Sequence, residues 1–174
     1  MLGMVTELIE QRSGAELHWT HFEDPEGRFQ VDFPAKEIRD ISGKVGRTLT
    51  ERGMSVEARG FTASSKLGAF GVSVLDDVQK HRGGRTDAQF KESMLIGAFD
   101  HARAKIDKWE DRSRPAGPAR RVCGHRSEEG TTTCYIAEVY VLDGRAYSLQ
   151  AIVDPTDEHD PAVERFFESF RVQE

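Results

Sequence analysis

Cysteine is scarce in this sequence: two residues in 174, Cys123 and Cys134. That is too few for a disulfide scaffold, and neither residue sits in a CxxC pair or a Cys/His zinc spacing. Long apolar runs are missing as well. No stretch approaches the roughly 20 residues that a membrane span requires. Met1 to Glu10 shows no basic segment followed by an apolar core, so a chain that starts as written is expected in the cytoplasm, and an exported one would have lost its signal. Excess basic charge is also lacking. A net charge of −6 and a pI near 5.6 argue against a general nucleic-acid binder or a protein that adheres to anionic lipid, since both need a cationic surface. The phosphate-binding patterns G-x-x-x-x-G-K-[ST] and G-x-G-x-x-G are absent, as is the G-x-S-x-G nucleophile elbow. No repeat or low-complexity tract appears.

What is present is material for a core. The chain is 37% hydrophobic and 31% charged, with ten Phe, three Tyr and two Trp, enough bulk for one folded domain. We expect a single α+β domain over residues 18–174 preceded by an appendage at 1–17, in which Val5, Leu8 and Ile9 form a short amphipathic helical turn. The firmest local signal is Thr131 to Val153, two β-rich runs joined by Asp143-Gly144. An Asp-Gly pair between such runs marks a type I′ hairpin, whose two central residues need positive φ. If Leu142 faces Arg145, then Tyr140 faces Tyr147, Glu138 faces Leu149 and Ile136 faces Ala151. The first strand is apolar on both faces, as a central strand covered above and below would be.

Upstream, Trp19 and Phe22 signal a strand, Asp24 to Gly27 a turn, and Phe29, Val31 and Phe33 an alternating strand ended by Pro34. Val45 to Arg52, Met54 to Phe61 and Leu67 to Leu75 read as three short strands of a meander. Thr86 with Gln89 makes a capping box, and Phe90, Met94, Leu95, Ala98, Phe99, Ala102, Ile106 and Trp109 at three- and four-residue steps predict one long helix. Pro115 to Pro118 breaks the chain before a strand from Ala119, and Ser127 to Gly130 reads as a four-residue turn. That turn would set Cys123 opposite Cys134, as a disulfide or as a pair of buried thiols, and Glu138 diagonal to Arg121. Asp160 and Pro161 then cap a last helix with Val163, Phe166, Phe167 and Phe170 on one face.

Three pieces carry a resemblance: GRFQVDFP at Gly27 to Pro34, DGRAYSLQ at Asp143 to Gln150 and VERFFESFRV at Val163 to Val172. Their spacing resembles the PsbP-like fold, named for an extrinsic subunit of photosystem II and shared with a Ran-binding release factor and with bacterial domains of unknown function. The resemblance implies an antiparallel sheet covered by a long helix and a C-terminal helix, an α/β/α sandwich. It also implies a non-enzymatic binding or assembly domain, because better-known relatives bind proteins. No cofactor, metal or catalytic residue is carried across.

Candidate chemistry in the residues themselves is sparse. His18 and His21 would point to opposite faces of a strand. Asp154, Asp157, Glu158 and Asp160 crowd a loop without the spacing of an EF-hand. Asp76 and Asp77 end a strand ahead of a flexible basic loop. Arg112, Arg114, Arg120, Arg121 and Arg126, with His125, form the one conspicuous basic run, a solvated face or the dock for an acidic partner. The expected role is therefore a non-catalytic protein-binding module. The alternative is a small-ligand or lipid-binding domain with its pocket between the sheet and the long helix.

Overall fold

The computed structural model describes residues 17–26, 28–51 and 57–173. The N-terminal helical turn read from Val5 to Ile9, and the strand positions Met54 and Val56, lie outside the described residues. Within them the chain forms β1 (Thr20–Glu23), β2 (Phe29–Phe33), β3 (Ile38–Asp40), α1 (Ser42–Glu51), β4 (Ala58–Ser65) and β5 (Gly68–Leu75). A short α2 (Val78–His81) and the long α3 (Asp87–Ala102) follow, then β6 (Lys105–Arg114), β7 (Gly117–Glu128), β8 (Thr131–Leu142), β9 (Arg145–Val153), α4 (Pro161–Ser169) and β10 (Arg171–Val172). The strands make a seven-stranded antiparallel sheet, β3-β4-β5-β9-β8-β7-β6, and a three-stranded sheet, β1-β2-β10. The small sheet and α4 cover one face of the large sheet, while α1 and α3 lie on the other.

The hairpin of β8 and β9 has the register its turn demands. Asp143 and Gly144 both have positive φ, and Leu142 pairs with Arg145, Tyr140 with Tyr147 and Ile136 with Ala151. With β9 on one side and β7 on the other, β8 is a central strand. The core beneath it is aromatic. Phe170 follows α4 and lies 5.1 Å from Tyr140, 5.4 Å from Tyr147 and 5.8 Å from Phe29, ring centre to ring centre. Phe166 sits 5.2 Å from Phe70 and 5.5 Å from Phe33. Val163, Phe166, Phe167 and Phe170 are fully buried, each contributing the apolar area that offsets the ordering of the helix. Asp160 caps α4 by accepting from the amide of Ala162 at 2.8 Å. The capping box of α3 is complete, with Thr86 Oγ1 accepting from Gln89 N and Gln89 Oε1 from Thr86 N.

Three expectations are corrected. The stretch from Val45 is a helix, α1, not a strand. Its β-branched residues favour extended backbone, yet Ile41 and Val45 stand four apart, and the Asp40 carboxylate accepts from the amide of Ser42 at 2.8 Å to start the turn. Gly60 of β4 makes room for it: a Cβ there would lie 2.6 Å from Val45 Cγ2. The long helix ends at Ala102, where Arg103 turns left-handed at φ 54°. Ile106 and Trp109 still pack with Leu95 and Phe99, but from the edge strand β6, which carries a bulge between Ile106 and Lys108. Gly124 permits this approach, since a Cβ on it would meet the carbonyl oxygen of Lys105 at 2.0 Å. Finally, the β7–β8 turn has two residues, not four. Glu129 and Gly130 both adopt positive φ and Glu128 pairs with Thr131. The ladder shifts accordingly: Cys123 faces Ile136, Cys134 faces His125, and Arg121 faces Glu138 directly.

Candidate binding groove and the buried arginine network

The basic run does not form one surface. Strand alternation sends Arg112, Arg114 and Arg121 to the α4 side of the sheet and Arg120 and Arg126 to the α3 side. The Arg114 and Arg121 side chains are only 6% and 4% exposed, and they close around Glu138, which is wholly buried. Arg114 donates from Nη2 to Glu138 Oε1 at 2.6 Å and to Glu164 of α4 at 2.9 Å. Arg121 reaches Glu138 at 3.2 Å and Glu164 at 2.5 Å, with its guanidinium 5.0 Å from the ring of Phe167. Tyr140 donates its hydroxyl to Glu138 at 2.9 Å. Burial opposes the charge on Arg114 and Arg121, but the two carboxylates outweigh it and hold both guanidinium groups more basic than usual. Burial likewise favours the neutral form of Glu164, and the two arginines overcome it, leaving that carboxyl below its ordinary value. The network sets two cations against Glu138 and Glu164, with Glu168 at 3.4 Å from Arg114 on its rim, and fastens α4 to β6, β7 and β8. The outward members are paired as well: Arg112 with Glu110, Arg126 with Glu128, and Arg120 with Asp111 at 2.9 Å while lying 5.2 Å over Trp109.

A second cluster gathers residues from two of the resemblance-bearing pieces. Arg28 binds Asp76 through both carboxylate oxygens at 2.6 and 2.5 Å, and Arg145 donates to the same carboxylate at 2.9 Å. Asp24, fully buried, is gripped by Arg59 at 2.6 and 3.0 Å. These bonds tie the β1–β2 hairpin to the large sheet. They give Asp76 a structural partner rather than the free carboxylate of an acid–base pair.

Both cysteines are free and buried. They border an open depression of about 500 Å³ with Asp107, His125, Pro155 and Glu158. Asp107 accepts from His125 Nδ1 at 2.6 Å. The thiols are poor nucleophiles: burial pushes Cys134 up to about 12 and raises Cys123 too, although Arg121 pulls the latter back. Asp154 and Asp160 of the acidic loop serve as caps, and His21 bonds Asp32 at 2.7 Å. Among the described residues no three His, Cys, Asp or Glu side chains converge to hold a metal ion.

The opposite face of the sheet carries a groove. α1 rests on β4, and α3 on β8, β7 and β6; between them Leu75 and Ala146 are buried with Val78 of α2 and Phe90 of α3, while the rest of this face of β5 and β9 is only partly covered. The floor is made of small residues, Ala69, Gly71 and Ser73 on β5 and Ser148 on β9, beside Gln150 and Ile152. One stretch, about 160 Å³, is walled by Ile41 and Val45. The next, about 260 Å³, runs under α3 past Phe90, Ser93, Met94 and Gly97, with Arg85 at its wall. The two stretches share Val45, Ser73, Ser148 and Gln150 and are continuous. Sequence reading missed the groove as a site, although it placed a pocket between the sheet and the long helix as an alternative. The available signal was the run of Ala, Gly and Ser on one face of β5, where its other face carries Phe70, Val72 and Val74.

No family model and no curated protein matches the sequence. Among solved structures, the chain is similar to cyanobacterial PsbP from Synechocystis, with 10% identity, a TM-score of 0.60, and 92% of this chain and 95% of that one covered. Looser likenesses are to PA94, a protein of unknown function from Pseudomonas aeruginosa (14% identity, TM-score 0.47, 87% and 95% covered), and to LpqN, involved in cell envelope biogenesis of Mycobacterium tuberculosis (12%, 0.45, 98% and 97%). The chain has a PsbP-like fold, and none of its described helices is long and apolar enough to cross a membrane.

Proposed function

We propose that this chain is a non-catalytic protein-binding domain and that the groove over β5 and β9 receives a segment of its partner. The observation that carries this reading is the shape of the groove. It is open along its length and lined from α1, β5, β9 and α3, whereas a small-ligand pocket encloses most of what it binds. A shallow apolar trough suits a row of side chains presented by another chain. The high pKa of the thiols speaks against nucleophilic catalysis at Cys123 or Cys134. The sequence reading placed an acidic partner on the five arginines, but Arg114 and Arg121 are spent inside the fold. A patch built from them would have to break the Glu138 network first.

A second reading, a small apolar ligand, draws on the stretch between the sheet and α3. Affinity capture separates the two when protein and small-molecule fractions are both identified by mass spectrometry, with wild type beside Ser73→Trp and Gln150→Trp. A protein bound to wild type and lost on both variants supports the proposal. A small molecule with that behaviour supports the alternative, and the absence of any groove-dependent species removes the binding role from this face.

A further inference from the structure

Helices that pack side by side lie 8–10 Å apart. Strands are spaced by about 4.8 Å, so α1 over β4 and α3 across β8, β7 and β6 stand three to five strand intervals apart, roughly 14 to 24 Å, against the roughly 16 to 20 Å that a helix seated between them needs. Among the described residues the helical layer on this face therefore leaves a gap above β5 and β9, which α2 enters at the Ala146 end of β9. The surfaces that border it favour close approach by backbone: Gly71 and Ser73 on the floor, Ser93 and Gly97 on the flank of α3.

The charge at the groove is as specific as its shape. Among the described residues Arg85 is the one charged side chain lining either stretch, and no carboxylate lines them. Its neighbour Arg82 is neutralised by Asp87 at 2.7 Å, whereas Arg85 bonds only neutral acceptors. Nε donates to the carbonyl of Arg82 at 2.7 Å, Nη2 to that of His81 at 2.9 Å and Nη1 to Ser93 Oγ at 3.0 Å. The guanidinium is steadied 5.5 Å from the Phe90 ring. Among the described residues three of its five N–H donors find acceptors, which leaves two on a cation fixed at the wall of an apolar trough. We infer that the groove binds an amphipathic helix of the partner protein, apolar face down on β5 and β9, with an Asp or Glu of that helix meeting Arg85. This rests on the groove being the protein-binding site.

The test is selection of displayed, randomised amphipathic peptides on the wild-type chain, counter-selected against Ser73→Trp. Recovered sequences should carry apolar residues at three- and four-residue steps with an acidic residue at a fixed offset. Binding of a labelled recovered peptide should be lost on Ser73→Trp and on Gln150→Trp. It should weaken about fivefold on Arg85→Gln, and equally when the acidic residue of the peptide becomes its amide, the scale of an exposed ion pair. The peptide substitution leaves the protein untouched, so a misfolded variant cannot mimic the result. Peptides that bind the groove with no acidic preference and no response to Arg85→Gln overturn the inference while the groove remains a protein site. No enrichment over the blocked variant overturns the underlying reading. Binding of a fluorescent long-chain fatty acid, abolished by Ser73→Trp where no peptide is enriched, replaces the helix with a lipid.

Discussion

The two faces of the seven-stranded sheet are built to opposite standards of closure. On the α4 side the centre is filled, Phe166, Phe167 and Phe170 interlocking with rings from β2, β5, β8 and β9 around paired buried charges, and an open depression remains at the edge beside Cys123 and Cys134. On the α1 and α3 side the same strands β5 and β9 present Gly, Ala and Ser and leave a trough. The same strands meet both environments, so the difference lies in the side chains each face presents and in where the helices lie over it. A filled face contributes stability, and an open one keeps surface for something else.

Truncating the closed face should do most damage. Phe166→Ala should cost about 3–5 kcal/mol in chemical denaturation, and a melt indistinguishable from wild type would remove α4 from the core. Glu138→Ala should cost on a similar scale, about 3–5 kcal/mol, because it leaves two buried guanidinium groups short of a carboxylate. Retained stability in that variant would mean that Glu164 and Glu168 suffice for both arginines.

Crowding the open face should cost less. Gly60→Ala sets a methyl against Val45 and should lose roughly 1–3 kcal/mol, the usual cost of overpacking. A neutral effect would show that α1 shifts freely on β4. Acidification acts on the closed face again, but weakly, because Glu164 is about one-third exposed. Its carboxyl is held below the ordinary value near 4.5. The stability it contributes is therefore present above that pH and lost as pH falls through the lowered folded value. Denaturation midpoints recorded from about pH 6 to about pH 3 should drop more steeply in wild type than in Glu164→Gln; parallel profiles would exclude Glu164 as the titrating group. Smallest of all, Ser73→Ala and Gln150→Ala on the groove floor should stay within about 0.5 kcal/mol of wild type. A large loss from either would mean that the groove belongs to the core and break the contrast between the faces.

The closed face was largely legible in the sequence. Asp143-Gly144 dictates positive φ at two adjacent residues, and that turn propagates the register to Ile136 and Ala151 without outside help. Asp160-Pro161 and the spacing of the three phenylalanines define α4 through contacts four residues apart at most. Arg121 and Glu138 were paired from a register two residues in error, and the correct register brings them closer, directly across the ladder.

What local pattern could not decide was settled by partners distant in the chain. Ile106 and Trp109 continue a helical spacing by coincidence. β6 is extended because β7 offers a hydrogen-bonding edge and Gly124 lets it approach, and its charged sequence is that of an edge strand rather than a buried one. Val45 lies in a helix because Gly60, fifteen residues on, leaves space for it. Glu129-Gly130 makes a two-residue turn although Glu seldom adopts positive φ, since the ladder of β7 and β8 outweighs one residue's preference. The groove is the furthest of these from the sequence. It exists because α1 and α3 settle over β4 and over β8 and β7, so Ala69, Gly71 and Ser73 of β5 are left only partly covered. Residue type determined what each strand could bury, whereas the placement of two helices determined which surface stayed open.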